Sequence, residues 1–147
     1  MMAKHISNMN QLQAALMPTM VKMVDELAER VYETLNYFLQ EYYNSYDPKS
    51  YRRQYDFLRS AVKVEPKIKG SKVTASVYID TESMDNYYNA TGFQVASWAN
   101  QGTHGGLNTN SKTPHVWDDT MDNTVNNGEL LKLAVEYLRS KGFSVRA

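Results

Sequence analysis

The sequence predicts an α+β fold in which a long N-terminal helix and a C-terminal helix pack on a small antiparallel sheet with a protruding β-hairpin. Three observations carry that expectation: helical spacing of apolar residues over 20–45, a two-residue period over 61–80, and a return to helical spacing over 128–141. At 147 residues the chain suits one domain, 1–147, which should bury roughly two-thirds of its unfolded surface. A second domain would lack a core.

The first element rests on Met20, Val24, Leu27, Val31, Leu35, Phe38 and Tyr42, which recur at steps of three and four, with Lys22, Asp25, Glu26, Glu29, Glu33, Asn36 and Gln40 opposite. Pro18 suits the first turn of that helix, and Asp25 and Glu26 suit the positive end of its dipole. A shorter helix over 10–17 can precede it. The stop signal is Asn44-Ser45-Tyr46-Asp47-Pro48. Residues 50–60 are too few for a full helix and predict a helical turn.

From Ala61 the period becomes two, with Val62, Val64 and Ile68 against Lys63, Glu65 and Lys67, then Val73, Ala75, Val77 and Ile79 against Thr74, Ser76, Tyr78 and Asp80. Lys69-Gly70-Ser71 is the hairpin turn. Pro66 cannot donate a ladder hydrogen bond, so its strand should lie at an edge or bulge there.

Residues 81–127 read as polar and rich in turns, interrupted by the apolar patch Phe93-Gln94-Val95-Ala96-Ser97-Trp98-Ala99, a short helix ending near Gly102. Trp98 and Trp117 are the expected anchors of this region on the long helix. The run from Gly102 through His104 to Ser111 is the best loop candidate. Leu130, Leu133, Ala134, Tyr137 and Leu138 then form the C-terminal helix, closed at Gly142, with Arg139 and Lys141 complementing its dipole.

Composition excludes several function classes. With no cysteine there is no disulfide framework, thiolate metal site or cysteine nucleophile. The chain has no apolar run of membrane-spanning length, and its opening residues lack the apolar segment of a secretory signal, so a soluble protein made in the cytosol, without membrane contact, is expected. Tyrosine is overused, with 11 against 4 Phe and 2 Trp, which suits surfaces dry on one side and wet on the other.

Net charge is +0, yet the charges are segregated. Lys49, Arg52, Arg53, Arg59, Lys63, Lys67, Lys69 and Lys72 face only Asp56 and Glu65 within 49–72, a local balance of +6. Residues 80–129 hold Asp80, Glu82, Asp85, Asp118, Asp119, Asp122 and Glu129 against Lys112, a balance of −6. Opposed segments fit head-to-tail association, because a heterologous contact joins two different patches of one subunit. Two other readings of this pattern are a solvated surface with clustered charge and a small nucleic-acid-binding module using the basic segment.

His104, His115, Asp118 and Asp119 form the one set resembling metal ligands or an acid–base cluster, at spacings that match no metal motif. The glycines from Gly102 to Gly106 lack the Lys-Ser/Thr ending of a phosphate loop, and there is no G-x-S-x-G elbow. Neither catalysis nor a cofactor is expected, with a metal-dependent hydrolase as a distant alternative. Tyr37, Phe38, Tyr42, Tyr43, Tyr46, Tyr51 and Tyr55 are expected as core on one side and subunit contact on the other, with base stacking as the alternative.

The stretch Tyr51-Arg52-Arg53-Gln54-Tyr55-Asp56-Phe57-Leu58-Arg59-Ser60 before the hairpin resembles the Y-x-R-T-G-x-L-x-x-S entry of a family of tailed-phage minor structural proteins, the tail-completion or neck components of long-tailed phages. Gln54, Tyr55 and Phe57 stand where that pattern has Thr, Gly and Leu. Ala96 and Gly102-Thr103 resemble its Y-A-x-x-V-E-x-G-T stretch, with Asn100 in place of Glu. Pro114 and Trp117 occupy the place of its P-F-x-x-P-A element, without the second proline. The order of elements agrees over nearly the whole chain.

The resemblance implies a subunit that forms a ring, typically a homo-hexamer, at the head–tail junction of the virion, assembled in the host cytoplasm. Its partners would be itself and other phage neck and tail-tube proteins, with DNA contact only inside the channel and no catalysis or cofactor. The candidate subunit-interface residues are Arg52, Arg53, Arg59, Lys67, Lys69, Lys72, His104, Asp118 and Asp119.

Overall fold

In a computed structural model, which describes residues 6–45, 56–84, 91–103 and 113–145, the elements run α1 (Met9–Asn44), β1 (Ala61–Lys69), β2 (Lys72–Ile79), α2 (Gly92–Asn100), α3 (Val116–Asp122) and α4 (Glu129–Ser140). The α+β expectation holds. The packing differs in one respect: β1, β2, α3 and α4 all pack against α1, so α4 rests on that helix instead of on the sheet.

The long helix starts well before residue 20. Asn8 caps it by accepting a hydrogen bond from Gln11 N at 2.9 Å, and the expected short helix over 10–17 is its first part. With 36 residues it spans roughly 54 Å. Pro18 lies inside the helix rather than in its first turn. It cannot donate to the Ala14 carbonyl, but both residues are exposed, so water can take that acceptor. Asp25 and Glu26 consequently sit in mid-helix, far from the dipole's positive end.

Burial on α1 covers Met23, Ala28, Leu35, Leu39, Tyr42 and Tyr43. Of the expected stripe, Leu35 and Tyr42 are fully inside and the other members are half-buried. The reason is that α1 is covered from more than one side, which widens the apolar arc beyond a single line of residues.

The core gathers at the C-terminal end of α1. Leu35 and Leu39 are 0% exposed and Phe57 1%, joined by Ala61, Met84, Ala99 and Val116. Phe57 meets Tyr42 edge-on at 5.7 Å and stacks against Tyr43 at 6.4 Å between ring centroids. Each tyrosine also uses its hydroxyl. Tyr42 donates to the Thr103 carbonyl at 2.6 Å, and Tyr43 accepts from Leu58 N at 3.2 Å. Two distant stretches of chain are thereby tied to one helix end.

Residues 56–59 make the expected turn before the hairpin, in which Arg59 N donates to the Asp56 carbonyl and Ser60 N to the Phe57 carbonyl. Within 81–127, α2 ends as expected near Gly102, but α3 is an additional helix. Seven residues are too few to show a period. Its polar side chains hide it further, since the buried Thr120 donates to the Val116 carbonyl at 2.7 Å, as Thr124 just beyond the helix does to the Thr120 carbonyl at 2.7 Å. Among the described residues no helix is long and apolar enough to cross a membrane.

Replacing Phe57 by alanine should remove the partner of both tyrosines and cost about 3–5 kcal/mol, a large share of the roughly 5–15 kcal/mol by which domains are stable. Urea denaturation checks it. A Phe57→Ala midpoint close to the wild-type value would show that this cluster is not the centre of the fold.

Candidate interaction site

The basic hairpin carries Lys67, Lys69 and Lys72, three of the six described interface candidates, and its geometry follows from one irregularity. Pairing runs Ala61↔Ile79 to Val64↔Ser76, then resumes at Lys67↔Thr74, so Glu65 and Pro66 together oppose Ala75. This is the expected bulge at Pro66. Because one extra residue reverses the facing of everything beyond it, Ile68 pairs with Val73 on the helix-facing side, whereas Val62 and Val64 pair with Tyr78 and Ser76 on the outer side. The expected common face of Val62, Val64 and Ile68 is therefore split.

The same register turns Lys63 inward, opposite Val77. Its ammonium lies 2.7 Å from Asp25 Oδ1 and 2.9 Å from Glu29 Oε2, with only 12% of the side chain exposed. Asp25 and Glu29 are one turn apart on α1, so a single cation offsets two neighbouring carboxylates and clamps the hairpin base to the helix. The short contact with Asp25, then that with Glu29, raises the Lys63 ammonium above its usual value, and the same contact holds the Asp25 carboxyl below its own. Sequence alternation alone placed Lys63 on the solvent side. The signal that could have found it is the bulging proline three residues later.

Beyond the bulge the ribbon is exposed. Lys67, Ile68, Lys69, Gly70, Ser71 and Lys72 all lie open, with Ile68 55% exposed, and Gly70 takes φ +59° in the two-residue turn. Lys69 and Lys72 pair across that turn, which puts two like charges side by side with Lys67 close behind. Arg59 is exposed at the other end of the hairpin. Arg52, Arg53 and His104 lie outside the described residues, as do Tyr46, Tyr51 and Tyr55.

The acidic candidates sit elsewhere, at the corner between α2 and α3. Asp119 Oδ2 accepts from His115 N at 2.9 Å, closing the start of α3, while Asp118 N donates to the Asn100 side chain at 2.7 Å. The His115 ring contacts the Asn100 carbonyl through Nδ1 at 3.0 Å. Gly102 stops α2 with φ +76°, and Thr103 N and Gly102 N donate back to the Trp98 and Ala99 carbonyls. A Cβ on Gly102 would come within 3.0 Å of the His115 ring. The residues first singled out as a metal-like set thus include three that shape a helix–helix corner. Trp98 and Trp117 are half-buried, whereas the fully buried side chains of these helices include Ala99 and Thr120 at 0% and Val116 at 1%.

Two predictions follow from these contacts. Asp25 contributes stability above the ordinary carboxylate range that is lost as pH falls through its lowered value, because protonation breaks its contact with Lys63. The gap in melting temperature between wild type and Asp25→Asn should therefore be widest near neutrality and shrink in acid, and a gap independent of pH overturns this assignment. Secondly, Gly102→Ala should lower the melting temperature more than Gly128→Ala. Both positions have positive φ, at +76° and +78°, but only Gly102 has a ring in the way.

The YomN family model matches residues 8–140, from the cap of α1 to the last residue of α4. No curated protein and no solved structure matches the chain. YomN is a Bacillus phage-region protein. The match spans every described helix and both strands, so the chain belongs to the YomN family and is in that sense phage-associated.

Proposed function

We propose that this phage-associated chain is a structural subunit of the head–tail junction, a tail-completion or neck component that assembles head-to-tail into a ring, most simply a homo-hexamer. On this reading it acts in the virion after assembly in the host cytoplasm, beside other neck and tail-tube proteins, without catalysis or cofactor.

The observation that carries it is the exposed basic end of the hairpin, 67–72, on a subunit whose base clamp already uses Lys63. A two-stranded ribbon is marginal alone in water and gains stability when a further surface covers it. The order of motifs, running from the turn before the hairpin through Gly102-Thr103 to Pro114 and Trp117, supports the same reading. So does the segregation of charge into patches of opposite sign, since identical patches of one sign would repel across a two-fold axis.

Light scattering combined with negative-stain imaging tests the proposal on the purified full chain at increasing concentration. The expected result is a closed ring, with monomers when dilute and hairpin amides that exchange more slowly in the ring. A stable two-fold dimer, or a protein that stays monomeric at every concentration and beside phage neck and tail-tube components, overturns it.

A further inference from the structure

Where α4 lies against α1, an open-sided groove of about 230 Å³ remains between them. Met23 and Leu27 of α1 and Leu133 and Tyr137 of α4 make its apolar floor, and Glu26 and Glu33 stand on its rim, both exposed. Glu29, also at the groove, is engaged by Lys63, and Arg30 reaches sideways to Glu129 at 3.8 Å. The volume is below the roughly 300–1,000 Å³ of small-molecule pockets. It has room for side chains from a protein partner instead.

Resting on the ring reading above, we propose that this groove receives the hairpin tip of a second copy of the chain, with Ile68 on the apolar floor and Lys69 and Lys72, which leave the ribbon on its other face, reaching round its edges on their long stems to Glu26 and Glu33. The tip has what the groove lacks. It offers an apolar side chain 55% exposed at the end of a ribbon, flanked by three lysines with no acidic residue between Pro66 and Ile79. The groove offers an apolar floor in which Leu27, Leu133 and Tyr137 are only half-buried, under a rim of carboxylates. A subunit's own tip cannot serve, because β1 starts in the core beside Leu35 and Leu39 and passes Asp25 and Glu29 at Lys63. Six further residues carry Lys69 about 20 Å beyond that point. Donor and acceptor are thus different patches of one subunit, and each copy can give one tip and receive another.

Two charge reversals test the pairing: Glu26→Lys with Glu33→Lys on the groove, and Lys69→Glu with Lys72→Glu on the tip. All four side chains are exposed, so each variant should keep the wild-type melting curve. Each variant alone places like charges at every joint and should assemble on the order of tenfold less well or worse. An equal mixture restores opposite charges at every joint and should recover rings in which the two variants alternate. Carbodiimide coupling of wild-type rings should join lysines of 67–72 in one subunit to Glu26 or Glu33 in the next. Rings that form normally from either variant alone, or no recovery on mixing, overturn the inference while leaving the ring reading intact. Failure of the wild type to form any ring overturns both.

Discussion

The aromatic joint at the end of α1 is the constraint on which the rest of the chain depends. Tyr42 and Tyr43 are neighbours in sequence and both 5% exposed, and Phe57 fits against both rings. The hydroxyls prevent this from being a generic greasy contact, since each joins a backbone group of a different segment. Once Phe57 is seated, Ser60 Oγ donates to the Phe57 carbonyl at 2.6 Å and the Ser60 carbonyl accepts from Asp80 N at 2.8 Å. That places the start of β1 and the end of β2 beside Leu35 and Leu39. The hairpin is therefore held at its root by packing and at its middle by Lys63, while its tip, 67–72, lies exposed.

This gradient has a physical consequence for where the chain opens first. Local unfolding starts where few apolar contacts are buried and backbone hydrogen bonds face solvent. The distal hairpin meets both conditions, and α4 comes next, because Val135 is its one buried residue and its apolar stripe is only half covered. On the proposed ring reading, neighbouring subunits would complete these incompletely covered faces, and before assembly the monomer would stay folded through the α1 core alone.

Periodicity made the helices at both ends, the hairpin, its turn and its bulge legible, because each depends on short-range rules that a single sequence displays. The start of α1 was harder. Pro18 is a strong stop or start signal, and only the exposure of Ala14 and Pro18 on the finished helix shows why it was tolerated. Lys63 was misplaced for a related reason: a bulge changes which residues share a face, and an alternating pattern read straight through it assigns the wrong side. Polarity hides the helix α3, because Thr120 within it and Thr124 just beyond it look polar although both are 0% exposed. Their hydroxyls are satisfied by backbone carbonyls four residues back, and the acidic first turn of Asp118 and Asp119 is the available clue.

The candidate site was legible as charge and illegible as shape. Counting lysines and arginines identifies a basic segment, but it cannot tell Lys63, whose charge is spent inside the subunit, from Lys69, whose charge is open to a partner. The acidic counterpart shows the reverse difficulty. Asp118 and Asp119 dominate the local charge count, yet both have work at the α2–α3 corner, whereas Glu26 and Glu33 belong to a helix whose overall charge attracts no notice. A recognition surface is a property of what remains uncovered after internal pairing, and internal pairing is set by register. For this chain one inserted residue at Pro66 therefore does more to define the surface than the excess of six charges does: it hides one lysine, turns Ile68 to the helix-facing side near the tip, and leaves the other three lysines of the hairpin exposed.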